Sequence, residues 1–166
     1  MEKFKSPPIN FKPVRLPWSQ TSFHIFTGKM EKVLDPTETE SQLCFNRTVM
    51  LRGEAPPLHI HTKEDEFWII LRGKMRFWFG SKDLEGCLVE DAVEGSVVVL
   101  PKNIPHSFTP ITEETEFLSS FCPGCLQNIF SEIGGTGVRD DIKHAELFNR
   151  YGVFFVGPIP SLNKGK

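Results

Sequence analysis

Gly53-Glu-Ala-Pro-Pro-Leu-His59-Ile-His61-Thr-Lys-Glu-Asp-Glu66-Phe-Trp-Ile-Ile-Leu-Arg-Gly73 sets two imidazoles and a carboxylate between two glycines at strand-turn positions. Residues two apart on a β-strand project to the same face, so His59 and His61 can meet one ion. Glu66 follows the charged turn Lys63-Glu64-Asp65 and is expected to approach the same point across a hairpin. Downstream, Gly95-Ser-Val-Val-Val-Leu-Pro101-Lys-Asn-Ile-Pro-His106 is a β-branched run closed by a proline turn, and His106 supplies a fourth ligand from a separate strand end.

Three neutral imidazoles with one carboxylate suit a single divalent transition metal ion (Fe, Mn, Co, Ni, Cu or Zn) and are poor company for Ca or Mg. A bare His-x-His pair is more often an ordinary hairpin surface. Here three of the five histidines fall in two segments that also carry the glycines and proline their turns require, and this favours the metal. His24 and His144 are assigned no role.

Outward from these segments, 166 residues with 39% hydrophobic content and fifteen Phe suffice for one domain with a sizeable core. A net charge of -2 and the lack of any Lys/Arg cluster argue against a nucleic-acid partner. The N-terminus has no apolar signal-like region and no apolar run approaches membrane-spanning length, so a cytoplasmic protein without a membrane partner is expected. Four cysteines are too few for a disulfide scaffold in a chain this long.

Residues 1–19, with Pro7, Pro8, Pro13 and Pro17, read as an extended arm that lies against the domain or a neighbouring subunit. Strands are expected at 21–27 and 43–51, where Leu43, Phe45, Val49 and Leu51 share one parity, with a polar loop at 35–41 between them. Further strands follow at 74–79, 87–93, 97–100 and 117–121. Many short strands at regular spacing argue a sandwich or barrel. Beyond Cys122-Pro-Gly-Cys125, Leu126, Ile129, Phe130 and Ile133 take up helical spacing, which Gly134-Gly135 stops. A second helix, capped by Asp140 or Asp141, turns Ile142, Ala145, Phe148 and Tyr151 inward and ends before Gly152. A last strand, 153–156, closes the domain at about residue 160, and 161–166 is a tail.

The first segment matches the cupin motif G-x5-HxH-x4-E-x6-G at every position. The second resembles G-x5-P-x-G-x2-H with Asn103 in place of the internal glycine, a residue that tolerates left-handed backbone. With Cys-Pro-Gly-Cys-Leu-Gln-Asn-Ile-Phe and Tyr151-Gly-Val-Phe-Phe-Val-Gly-Pro, residues 20–160 resemble the small bacterial cupins described as quercetin 2,3-dioxygenase-like. The resemblance implies a mainly β, jelly-roll-like double-stranded β-barrel with two short C-terminal helices, often a homodimer, with the metal at its mouth.

If Glu66 points inward, alternation brings Trp68 and Ile70 with it, and His106 brings Phe108; Phe77 and Phe45 are further candidates for the lining of a substrate pocket. Taken singly, each aromatic is more often plain core. Such a cup suits a flavonol or enediol that binds as an enolate and reacts with O2, with Glu66 as ligand, catalytic base, or both in turn. A metal-dependent isomerase or lyase and a non-catalytic small-molecule binder remain alternatives, and the fold alone does not choose among them. Cys122 and Cys125 form a CxxC without a thioredoxin-like surrounding and read as a structural turn.

Overall fold

A computed structural model describes residues 22–25, 28–133 and 141–162, the side chains of 22–25 and 141–143 excepted. The expected arm at 1–19, the Gly134-Gly135 helix stop and the last four residues lie outside this range. Eleven described strands form two antiparallel sheets. One contains β1 (Ser22–Ile25), β2 (Gly28–Leu34), β3 (Cys44–Leu51), β5 (Asp65–Arg72), β8 (Val97–Leu100) and β10 (Glu114–Cys122). The other contains β4 (His59–His61), β6 (Lys74–Phe79), β7 (Leu88–Val93), β9 (His106–Pro110) and β11 (Val153–Phe155). Their orders are β1-β2-β3-β10-β5-β8 and β11-β4-β9-β6-β7. From β4 onward the chain thus crosses repeatedly between the sheets, as in a jelly roll.

Two expectations about pairing are corrected. β4 and β5 are not a hairpin: β4 pairs with β11 and β9, whereas β5 pairs with β10 and β8. The turn at 62–64 carries the chain from one sheet to the other, so Glu66 meets the histidines across the sandwich. On β3 the parity is the reverse of that expected. Cys44, Asn46, Thr48 and Met50 are buried, while Phe45 and Val49 are half-buried on the outer face and Leu51 is exposed. Small polar residues face inward because the interior at this level is polar, and the apolar alternation read from Leu43, Phe45, Val49 and Leu51 belongs to the outside.

β2 went unexpected because Gly28-Lys-Met-Glu-Lys-Val-Leu carries charges; Lys29, Glu31 and Arg47 instead form an ion-pair row with Glu116 on the outer face. The polar segment after β2 contains a 3-10 turn (Pro36–Thr39) closed by a capping box. Asp35 accepts from the Thr37 amide and Glu38 from the Asp35 amide. At the C-terminal end, a 3-10 turn (Gly124–Gln127) leads into α1 (Asn128–Ile133), and α2 (Asp141–Arg150) precedes β11. Leu147, Phe148 and Tyr151 pack with Phe130 and Ile133 on Cys44, Phe121, Leu126, Ile129 and Val153. The main core, Met50, Trp68, Ile70, Met75, Phe77, Leu100, Phe108 and Phe117, fills the space between the sheets.

Gly53 and Gly73 both adopt positive φ, +80° and +87°. A Cβ at Gly53 would meet open space, but at Gly73 it would lie 2.6 Å from the Glu114 carbonyl oxygen. Gly53→Ala is therefore expected to cost about 1–2 kcal/mol, the left-handed penalty alone. Gly73→Ala should cost roughly 1–3 kcal/mol more, because a backbone atom has to give way. Urea unfolding of the two variants side by side measures the difference.

Candidate metal centre

His59 and His61 share the inward face of β4, both under 7% exposed. His59 is the β-bridge partner of His106 at the start of β9, so these two imidazoles are held side by side, with ring centroids 4.3 Å apart. His61 lies 5.1 and 5.2 Å from the other two rings. Glu66 enters from the opposite sheet between Leu100 and Phe121, its register partners. Its Oε2 is 3.3 Å from His106 Nε2 and 4.0 Å from His61 Nε2. One ligand atom from each of the four residues falls within 4.8 Å of the others.

Backbone groups decide which nitrogens are offered. His59 Nδ1 sits 2.8 Å from the Pro57 carbonyl and His106 Nδ1 2.9 Å from that of Ile104. A carbonyl can only accept, so each Nδ1 carries the proton and Nε2 keeps its lone pair. Proline supplies the geometry: Pro56-Pro57 and Pro105 shape the turns that bring these carbonyls under the rings. Burial pushes the His61 imidazolium down to about 4, so His61 stays neutral at physiological pH. His106 Nε2 and Glu66 Oε2 are buried without a hydrogen-bond partner. Buried polar atoms left unpaired are costly. Their convergence, with lone pairs aimed at one point, fits a divalent ion bound through three nitrogens and a carboxylate oxygen.

The second segment adds its own support. Asn103 holds φ 66°, as its substitution for glycine requires, and its amide donates to the His61 carbonyl at 2.7 Å. Three groups close to the site have no motif to announce them. Phe121 stacks on His61 at 5.8 Å, visible only once the register of β10 against β5 is known. Glu64 is buried in the turn before β5, and burial pushes its carboxyl up to about 7. Cys44 lies level with Phe121 on β3, its thiol pushed up to about 12 by burial. The other candidates divide. Trp68, Ile70, Phe77 and Phe108 are buried on inward faces, with Phe108 6.4 Å from His59 and 4.4 Å from Trp68. Phe45 lies on the outer side of β3 and is removed from the lining. Cys122 and Cys125 are exposed free thiols beside the turn into α1.

The family model for the cupin domain matches residues 46–121, from the middle of β3 to the end of β10, with all four ligands inside. The match covers 76 of the 166 residues and agrees with the two-sheet fold around the candidate site. Similar solved structures place the same fold around it. KdgF from Halomonas sp. is 14% identical, with 84% of this chain and 99% of that one covered at a TM-score of 0.50. A predicted oxalate decarboxylase from Thermotoga maritima is 20% identical, with 66% and 97% covered at 0.53. The Fe(II) form of HppE is 15% identical; 65% of this chain and 58% of that one are covered, at 0.54. At these identities the likeness is one of fold. No curated protein sequence matches this chain. Among its described residues no helix is long and apolar enough to cross a membrane.

Cobalt(II) titration followed by visible absorption is expected to show one site per chain. In His106→Ala the affinity should fall by more than about 100-fold, beyond the 10–100-fold that follows loss of an outer hydrogen-bond partner.

Proposed function

We propose that this cupin is a metal-dependent dioxygenase that cleaves a flavonol- or enediol-like small molecule with O2. The observation that carries the reading is the combination of a buried set of three imidazoles and one carboxylate, an unpartnered oxygen on that carboxylate, and an aromatic wall behind it. A bound divalent ion would supply a Lewis acid to hold substrate oxygens and a redox partner for O2. His59, His61 and His106 would hold that ion, with Glu66 a fourth ligand whenever it carries no substrate proton. Glu66 Oε2, 3.3 Å from His106 Nε2, accepts the hydroxyl proton of the substrate, which leaves the electron-rich enolate that reacts with O2. Trp68, Ile70, Phe77 and Phe108 exclude water and bound the space for the substrate. The four free thiols suit a cytoplasmic setting.

The same carboxylate is placed to move a proton between carbon atoms, which is the isomerase or lyase reading. Oxygen uptake by metal-loaded protein with a panel of flavonols and enediols separates the two. Consumption of O2 is expected, with kcat down about 100-fold or more in Glu66→Gln. Turnover that persists under strict anaerobiosis would select the isomerase or lyase. An unchanged, tightly retained ligand with every metal would select a binding module.

We further infer a homodimer. On the outer face, Phe67, Ile69 and Leu71 of β5 adjoin Val97 and Val99 of the edge strand β8, all more than a third exposed. The other half of that face is covered by the Glu31–Arg47–Glu116 ion pairs. Edge strands are ordinarily guarded by charge. β8 carries no charged side chain from Val97 to Leu100, and exposed Glu94 and Lys102 lie only in the turns that flank it, so the strand itself is open to a second copy. Sedimentation is expected to show a dimer in the native protein and a monomer in Val97→Glu/Val99→Glu; an unchanged sedimentation coefficient would argue against this face.

A further inference from the structure

The inward face of the six-stranded sheet is layered. Cys44, Phe121, Glu66 and Leu100 are register partners across β3, β10, β5 and β8, and form the layer of the metal ligand. One step along, Asn46, Ser119, Trp68 and Val98 are partners in turn; a further step reaches Thr48, Phe117 and Ile70. A polar row, Asn46–Ser119–Trp68, therefore lies between the ligand layer and the apolar core. It is 0–5% exposed.

Two hydrogen-bond donors in this row have no partner, Asn46 Nδ2 and Trp68 Nε1. The orientation of Asn46 is fixed from outside the row. Gln127 Nε2 donates to the Leu34 and Phe45 carbonyls at 3.0 and 3.2 Å, and to Asn46 Oδ1 at 2.9 Å. Two backbone acceptors thus settle which end of Gln127 is the amide nitrogen, and Asn46 has to meet it with its oxygen. The Asn46 NH2 is left without that partner. Trp68 is packed among Phe77, Phe108 and Phe117, rings that offer no lone pair to its N–H. A core needing only bulk would be more stable with Phe at 68 and an apolar residue at 46, since unpaired buried donors lose their hydration without return. Asn46 and Trp68 flank Ser119 on either side, so both unpaired donors belong to the row next to that of Glu66, two residues (about 6.6 Å) along the strand.

We propose that Asn46 and Trp68 form a recognition subsite for an accepting oxygen on the molecule bound at the metal centre. The substrate class is a small ring compound with vicinal oxygens for the metal and a further carbonyl or hydroxyl oxygen about one ring's width away. This rests on the metal-centre reading above and narrows it: a hydrocarbon-edged diol leaves both donors unpaired and binds poorly, and an oxygen at the far edge satisfies them.

The test uses 15N-tryptophan-labelled full-length protein loaded with Zn(II), which is diamagnetic. Three tryptophans give three indole N–H signals, and Trp68→Phe identifies one by its loss. The probes are 4-methylcatechol and 3,4-dihydroxyacetophenone, which share the catechol and differ at the far edge; the acetyl group also acidifies the catechol, so the ratio of their affinities is compared between native protein and variants. The ketone is expected to bind about tenfold more tightly and to move the Trp68 indole proton downfield, as an accepted hydrogen bond does, while the methyl twin leaves it in place. In Trp68→Phe, and independently in Asn46→Ala, the ketone's advantage should shrink to within about threefold, the diol itself still binding. Equal shifts with both probes, an advantage unchanged in both variants, or no binding of either probe to zinc-loaded protein overturns the subsite. Failure to retain zinc overturns the metal reading instead. The Trp68 shift with the ketone in metal-free protein then decides the subsite alone, and its absence is fatal to it.

Discussion

The rest of the structure depends on one constraint: four metal-binding side chains are buried with lone pairs turned toward each other. Placing ionisable groups in a dry interior is unfavourable unless something answers them. The fold answers half of the requirement by itself. Carbonyls of Pro57 and Ile104 hold the Nδ1 protons of His59 and His106, and burial keeps His61 neutral. Among what remains unanswered, His106 Nε2 and Glu66 Oε2 face each other at 3.3 Å and mark where an ion fits. The site is preorganised because its ligands come from two sheets whose separation is set by the core, rather than from a flexible loop.

The interior grades from ionic to apolar away from that point. Glu66 and the imidazoles occupy one level, Asn46, Ser119 and Trp68 the next, and Phe117, Ile70 and Met50 the levels beyond. This grading explains a feature of β3 that hydropathy alone misreads. Its inward residues change from Cys44 and Asn46 through Thr48 to Met50 as the strand runs from the polar end of the sandwich to the apolar end.

What could be read from residues alone was whatever is local. The His-x-His parity, the positive-φ positions at Gly53, Gly73 and Asn103, and the strand rhythm from Lys74 to Leu100 depend on neighbours in sequence and were legible. Pairing was not. The crossing of the chain between sheets after His61, the outward turn of Phe45, and the approach of Phe121 to His61 all depend on register between strands far apart in the chain, which no short window contains. β2 is hidden for a related reason: Glu31 is held by Lys29 on its own strand and by Arg47 on β3, and the second partner depends on strand pairing.

β4 is only three residues long, and one of its two neighbours, β11, is supplied from near the other end of the chain. The Thr62 amide and hydroxyl both reach Gly152, ninety residues away. A nascent polypeptide emerging from the ribosome would have synthesised all four ligands well before Val153 exists. During that interval the histidines lack half of the backbone pairing that aligns them, and contacts so distant in sequence form late. The alignment of the candidate ligands is in this sense timed by the last strand to be made and not by the appearance of the ligands themselves.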